Sequence, residues 1–444
     1  MCCLTCTGDE LQLSSARRFE AFISTQPLAA GRDNLAQLPF PHANFHLQEV
    51  TGLARAYELL SNTTDKAIVD TFFSVLTTNH SYATGGSNSG ECWQEPRDLG
   101  AFLTDQTEES CTQYNVLKIA RSSFMVSADA KYADFYERAI WNGIIGNQKR
   151  ESSGGTSYTY MLPLGGANFK GWGKSDSGFP CCWGTLSESF AKLGDSIFFA
   201  SRDNRRLHVN QFVSATVRWG GATIEQVAYF PQDPKRTSTI SFRLQRNMTF
   251  GLMVRVPGWA VSTNAVLING QPVAEKLTPG SFVSLDRTWS SGDLVELFFP
   301  LSLLASPLND HHPEYNATLA FMYGPLVLAG VHMTSDLFIP RSSDPVTDPS
   351  SFITRNSSTE LTFEAVARNG TKMLMIPLRD VMDEQYVVYF MTAGSKPPQP
   401  PVVYCPRSAG KAVTSAPMQT PDAIVSRGAR WRRANGRFSA TRLV

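Results

Sequence analysis

The stretch FPCCWGTLSESFAKLGDSIFFASRDNRRLHVNQFV, residues 179–213, holds the change of texture that divides the chain. In TLSESFAKLGDSIFFA (185–200), Leu186, Phe190, Leu193 and Ile197 recur at 3- and 4-residue spacing, which predicts a helix. In LHVNQFV (207–213) the pattern alternates instead, as in a half-buried strand. Upstream, the helical period recurs from about residue 12, in FHLQEVTGLARAYELL (45–60), KAIVDTFFSVL (66–76), TQYNVLKIARSSFMV (112–126) and ADFYERAIWNGIIG (133–146). In the first of these, Phe45, Val50, Leu53, Ala54, Tyr57 and Leu60 are expected to form the buried face. Between the helices run the glycine-rich loops ATGGSNSGE (83–91) and MLPLGGANFKGWGKSDSG (161–178). Long loops in helical domains usually line sites.

Downstream, ATVRWG, ATIEQVAYF, TISFRLQ, TFGLMVRV, AVLING, SFVSLD and LVELFFP are short alternating runs. Turn signals such as Asn269-Gly270 and Ser291-Gly292-Asp293 break them, predicting an antiparallel β-sandwich that continues to about residue 393. From KPPQPPVV (396–403) the chain becomes Pro-rich and then Arg-rich without periodicity, a tail expected to be disordered. The fold class is therefore α + β and multidomain. A helical part covers residues 1–204, a sandwich part 205–395 and the tail 396–444.

A length of 444 residues suits two or three domains, and 42% hydrophobic residues supply their cores. The net charge of +1 speaks against a dedicated nucleic-acid or membrane-surface protein. Basic residues gather in the tail, where Arg432, Arg433 and their neighbours face one acid, Asp422; a solvated tail is the simpler reading. No run of roughly 18 apolar residues is present. The start, MCCLTCTGDELQL, lacks the basic and apolar regions of a secretory signal, so localisation stays open. Six Asn-x-Ser/Thr sequons, from Asn62 to Asn369, lean toward a secreted parent protein.

Eight cysteines are few for a disulfide scaffold of this size, and their placement suggests local chemistry rather than stapling. Cys181 and Cys182 are adjacent. Neighbouring Cα atoms lie about 3.8 Å apart, below the roughly 4.4 Å at which disulfides begin, so the two thiols are left for a metal, another cysteine or catalysis. Two buried core thiols would give the same pattern. Glu109-Ser110-Cys111 precedes them by 70 residues. With Thr112 capping the next helix, Glu109 and Cys111 would stand just outside its N-terminus. Three thiols and a carboxylate would make a tetrahedral site for a borderline-soft ion such as Zn2+. Glu91, on its glycine-rich loop, has the chemistry of a general acid/base, although a surface carboxylate would look alike. His42 and His46, at i and i+4, read either as a chelating pair or as a helix cap and a core histidine. Cys3-Leu-Thr-Cys6 matches a redox spacing but precedes no strand–helix pattern.

These features occur together in one known arrangement. The run HSYATGGSNSGECWQEPRDL (80–99), TEESCTQYNVLKIARSSF (107–124), YADFYERAIWNGIIG (132–146), YTYMLPLG (158–165) and FPCCWGTLSESFAKLGDSIFF (179–199) closely resembles glycoside hydrolase family 127, the β-L-arabinofuranosidases, particularly its plant-like branch. VRVPGWA (254–260), WSSGD (289–293) and MYGPLVLAG (322–330) are similar too.

The resemblance implies an (α/α)6 barrel of the six-hairpin glycosidase type followed by β-sandwich domains. It implies zinc ligands at Glu109, Cys111, Cys181 and Cys182, a nucleophile at Cys181 and an acid/base at Glu91, with His42 and Tyr160 contacting substrate. The expected reaction is a double displacement that releases β-L-arabinofuranosyl units from a glycan or glycoprotein. In it Glu91, kept protonated by its surroundings, donates to the leaving oxygen as the Cys181 sulfur attacks, and water then frees the sugar with retained configuration. The family's barrel begins upstream of Met1, so residues 1–204 are expected to be its C-terminal part. The alternative is a truncated, non-catalytic carbohydrate-binding or structural remnant.

Overall fold

The computed structural model describes residues 14–15, 17–18, 22–173, 178–228, 238–261, 263, 265–357 and 360–393. The Cys3–Cys6 spacing and the tail from 396 lie outside them.

The helical part contains α1 (Phe22–Ala29), α2 (Ala43–Leu60), α3 (Thr63–Asn79), α4 (Ser110–Ser127), α5 (Ala130–Ala139) and α6 (Cys181–Ala191). Helices α2, α4 and α6 lie side by side, with α3 against α2, α5 against α4, and α1 against α3. Their shared core includes Leu47, Val50, Phe72, Leu76, Ile119 and Leu186. The period-3.6 reading of α2 holds for Val50, Leu53 and Ala54, but Leu60 at its end is 39% exposed and Phe45 72%. Five residues before Val50, it stands about 140° around the helix from that face.

Two further helices depart from expectation. The run read as helix over 133–146 leaves α-geometry at Ile140, passing through a π turn (Ile140–Ile144) and a 3-10 turn (Ile145–Asn147). The wider turn aims Asn142 at the sheet beyond, where its amide donates to Pro325 O and accepts from Val327 N, both at 2.8 Å. The helix expected over 185–200 begins four residues earlier, after extended Pro180, and ends at Ala191. Phe198–Ala200 instead pairs antiparallel with Arg206–Val209.

The β part follows the predicted runs closely. One sheet orders Gln271–Pro272, Ala265–Ile268, Leu294–Phe298, Ser238–Leu244, Ala222–Ala228 and Ala215–Trp219; a second orders Ser281–Trp289, Met248–Val256, Arg206–Val209 and Phe198–Ala200. Alternate residues of both, such as Ile224 and Ile240 from the first and Leu252 and Val254 from the second, share one core, so the sheets face each other as a sandwich. The sandwich is not wholly antiparallel, because Arg206–Val209 runs parallel to Met248–Val256.

A third, eight-stranded sheet is centred on Thr318–Tyr323 and Leu326–Val331, whose every residue is buried. The period of two sends Leu319, Phe321 and Tyr323 into one core and Ala320 and Met322 into another. That second core also contains Tyr82, Ala83, Leu99, Leu103, Leu162 and Leu164 from the helical part's long loops. The sheet is thus the floor on which those loops rest.

Polar contacts fix the seam. Fully buried Arg255 donates to Glu137 Oε1 at 2.7 Å and pairs with Asp134, both on α5. The Asp310 carboxylate accepts the backbone N–H groups of Leu99 (2.7 Å) and Gly100 (2.6 Å). Lys170 Nζ donates to the carbonyls of Gly146 (2.6 Å), Leu378 (2.9 Å) and Val381 (2.8 Å). Stapling is not absent either, since Cys92 is disulfide-bonded. No described helix is long and apolar enough to cross a membrane.

Candidate active site

Three short backbone pairings bring the chemistry-bearing residues together. Ala43 N donates to Glu91 O at 2.8 Å and Trp93 N to Pro41 O at 2.9 Å, laying His42 beside Glu91. Gly90 N donates to Gln106 O at 2.9 Å and Glu108 N to Asn88 O at 3.1 Å, joining the glycine-rich loop to the entry of α4. Ser110 N donates to Tyr160 O and Leu162 N to Glu108 O, each at 3.1 Å, which sets Tyr160 against that entry. The loop turns tightly enough that Asn88 and Glu91 both take left-handed backbone, at φ 66° and 68°.

The first constellation is a quartet. One ligand atom from each of Glu109, Cys111, Cys181 and Cys182 lies within 4.8 Å of the other three. Cys182 Sγ is 3.2 Å from Cys111 Sγ, 3.9 Å from Cys181 Sγ and 3.5 Å from Glu109 Oε1. Zinc bonds of about 2.3 Å to sulfur and 2.0–2.2 Å to oxygen imply tetrahedral edges of about 3.8 Å between sulfurs and about 3.5 Å from sulfur to oxygen. The quartet approaches those edges, so its donor set and spacing fit such an ion. The thiols crown two helix N-termini, Cys111 in the first turn of α4 and Cys181 and Cys182 opening α6, where peptide dipoles favour thiolate. Glu109, not Thr112, is the residue preceding α4, and its extended backbone (φ −67°, ψ 130°) frees it from the helical i, i+2 divergence.

With protons alone, Glu109, Cys181 and Cys182 hold them tightly. Burial raises the Glu109 carboxyl and the Cys181 thiol, and the Cys111 contact together with burial raises Cys182. Four groups that would each become an anion stand together, and a divalent cation is what reverses that preference.

The second constellation faces the first. Glu91 Oε2 lies 3.2 Å from His42 Nε2, and Glu91 Oε1 accepts the Tyr160 hydroxyl at 2.5 Å. The same hydroxyl is 3.9 Å from Cys181 Sγ. The His42 and Tyr160 hydrogen bonds hold the Glu91 carboxyl below its usual range, while Glu91 raises the His42 imidazole. The surroundings thus favour the Glu91 carboxylate, against the expectation that they keep it protonated. His42 also caps α2, its Nδ1 accepting Phe45 N at 3.4 Å.

All seven residues that the resemblance assigned to the site thus fall in one place. His46 does not join them; it is buried edge-on against Phe72 and Trp93, so the two histidines are no chelate. Sequence reasoning missed Asn88, whose side chain braces Glu109, and Thr185, whose hydroxyl lies 3.3 Å from Cys111 Sγ. It also missed Glu108, which is wholly buried, raised to about 7 by burial, and wedged so closely against Gly86 and Gly143 that neither could carry a Cβ. The glycine pair Gly85-Gly86 was the available signal for that close approach.

Residues 3–195 match the family model of the GH127 catalytic domain of β-L-arabinofuranosidases, and residues 206–301 match that family's middle domain. A non-reducing end β-L-arabinofuranosidase of Bifidobacterium longum subsp. longum is 25% identical over 369 residues, covering 77% of this chain and 53% of that protein. The chain therefore spans about half the length of this curated relative. Among solved structures, a GH127 β-L-arabinofuranosidase from Geobacillus stearothermophilus T6 superposes with a TM-score of 0.63 at 21% identity, covering 80% of this chain and 62% of its own. A second GH127 β-arabinofuranosidase reaches 0.68 at 19% identity, covering 88% and 67%. With matches to both domain models of one family, this chain belongs to glycoside hydrolase family 127.

Proposed function

We propose that this chain is a retaining glycoside hydrolase that releases β-L-arabinofuranosyl residues, with Cys181 as nucleophile and Glu91 as acid/base. The observation that carries this is the single hydroxyl of Tyr160 touching both groups, at 2.5 Å from Glu91 and 3.9 Å from Cys181. Those two contacts cap the sulfur-to-carboxylate gap just below the about 6.5–9.5 Å between carboxyls of inverting enzymes. Retaining enzymes use about 5–5.5 Å.

Bound by Glu109, Cys111, Cys181 and Cys182, a zinc ion would keep the sulfurs deprotonated at neutral pH, against a free thiol pKa of about 8.5. The Cys181 sulfur attacks the anomeric carbon as the bond to the leaving oxygen breaks. Glu91 in its acid form gives its proton to the leaving oxygen. Glu91, again a carboxylate, then accepts a proton from the water that displaces sulfur, and two inversions give net retention. His42 and Tyr160, both hydrogen-bonded to Glu91, orient it and border the sugar.

We read α2, α4 and α6 as inner helices, and α1, α3 and α5 as outer helices, of the C-terminal part of an (α/α)6 barrel over residues 1–204. The sandwich part over 205–395 follows. The packing order of the helices and the two domain matches, ending at 195 and starting at 206, support that division.

The non-catalytic carbohydrate-binding alternative is favoured by the hydrogen bonds that hold the Glu91 carboxyl below its usual range, since a general acid must carry a proton. Hydrolysis of a chromogenic β-L-arabinofuranoside by the intact chain separates the two, with the released anomer followed by NMR. Turnover with retention, abolished in Cys181→Ala and reduced about 10²–10⁴-fold in Glu91→Gln, is expected. No turnover by the zinc-loaded chain would leave the binding alternative.

A further inference from the structure

Resting on the metal role proposed for Glu109, we infer that Asn88 and Thr112 are positioning residues that hold Glu109 as a one-oxygen ligand and lock it to the loop carrying Glu91. Each carboxylate oxygen of Glu109 has a separate neighbour. Oε1 faces the quartet, 3.5 Å from Cys182 Sγ, whereas Oε2 accepts the Thr112 hydroxyl at 3.0 Å.

A hydroxyl has one proton, and here its direction is fixed. Thr112 Oγ1 already accepts Asn88 Nδ2–H at 2.9 Å, so its own hydrogen is left for Glu109. The other atom of the Asn88 amide, Oδ1, accepts the backbone N–H of Glu109 at 2.9 Å. The amide orientation is thereby assigned, since Oδ1 meets a donor and Nδ2 an acceptor. Asn88 grips Glu109 twice, directly at its backbone and through Thr112 at its side chain. All three residues are at most 2% exposed, so water does not compete for these bonds.

The grip has a chemical consequence. A carboxylate with both oxygens free can chelate an ion, raising the coordination number to five. With Oε2 occupied, Glu109 offers one oxygen beside three sulfurs, which makes four donors. The grip also sets the distance between the two halves of the site. The Asn88 carbonyl accepts Glu108 N at 3.1 Å, and Glu91 follows three residues later on the same loop. Asn88 stands at φ 66°, a conformation that Asn and Gly tolerate best, so the residue type serves the backbone as well as the amide.

The test replaces zinc by Co2+ in the intact chain and follows its visible spectrum and its affinity in competition with a chromogenic chelator. The original chain should show thiolate-to-cobalt charge transfer and the intense visible bands of four-coordinate cobalt. Thr112→Val should weaken the visible bands as Oε2 joins the ion, with affinity falling about 10–100-fold. Thr112→Ser, which keeps the hydroxyl, should restore both. If Thr112→Val fails to fold, Asn88→Gly preserves the left-handed backbone while removing the amide, and the same two changes are expected. Absence of the charge-transfer band in the original chain would remove the metal reading itself. A charge-transfer band in the original chain, with intensity and affinity unaltered in both Thr112→Val and Asn88→Gly, would overturn the positioning role alone.

Discussion

The phenolic oxygen of Tyr389 accepts the backbone N–H of Ala83 at 2.7 Å, across 306 residues of sequence. Ala83 begins the loop that carries Asn88 and Glu91, and Tyr389 lies in the eight-stranded sheet beneath it. The sheet therefore supports the site rather than merely following it. Tyr389→Phe should leave a buried N–H unpaired and cost about 1–3 kcal/mol. Urea unfolding reads this directly, and an unshifted midpoint would mean that the loop stands without the bond.

Metal removal gives a second expectation. A chain purified with zinc should lose both metal and activity on dialysis against a chelator, and regain both when zinc is restored. On the proposed binding of zinc by the assembled quartet, the ion at 100 times its dissociation constant should stabilise the fold by about 2.7 kcal/mol. Calorimetry with and without zinc would show the difference. Cys182→Ala should abolish it, and a zinc-dependent shift surviving in that variant would place the metal elsewhere.

The Glu91–His42–Tyr160 set predicts the direction of a pH change. Two hydrogen bonds hold Glu91 below its usual range, and one comes from Tyr160. Tyr160→Phe removes that bond, so the carboxyl rises toward its ordinary value and is protonated at a higher pH. The alkaline limb of the kcat/KM profile, where the acid loses the proton it donates, should then move upward. A limb that stayed in place, or moved downward, would show that Glu91 does not set it.

His46 makes stability depend on pH. It is 5% exposed, neither ring nitrogen has a hydrogen-bond partner among the described residues, and burial lowers its pKa to about 4. The unfolded chain takes up this proton near pH 6.5, whereas the folded chain refuses it until about 4. The contribution is thus fully present above 6.5 and is lost as pH falls toward 4, by about 3 kcal/mol in all. His46→Phe should flatten that part of the curve in denaturant titrations at a series of pH values. An unchanged slope between pH 6.5 and 4 would assign the loss to other groups.

Legibility in the sequence followed periodicity. The strand runs from LHVNQFV to LVELFFP were readable because one sandwich face is buried and the other wet, which imposes strict alternation. Helix α2 was readable for the same kind of reason, although grouping Phe45 with Val50 ignored the 3.6-residue pitch over five steps. The end of α6 was not readable, because Ile197, Phe198 and Phe199 continue an apolar run that suits either state. The quartet lay beyond spacing arguments altogether. Seventy residues separate Cys111 from Cys181, and only the adjacency of α4 and α6 closes that gap. Resemblance to known enzymes found these ligands; periodicity would not have. Asn88 was missed because a polar residue in a Gly/Ser loop carries no period, and its backbone conformation leaves no trace in composition.

The ammonium of Lys170 has three hydrogens, and three carbonyls receive them, one from the turn after α5 and two from the segment following Lys372–Pro377. Those carbonyls belong to pieces of chain more than 200 residues apart, and the amine between them is 4% exposed. Such a rivet offers no intermediate position, because a slide in any direction breaks several bonds together in a place water does not reach. Any opening and closing of the site must therefore come from the surface loops, while the helical layer and its supporting sheet travel as a single body.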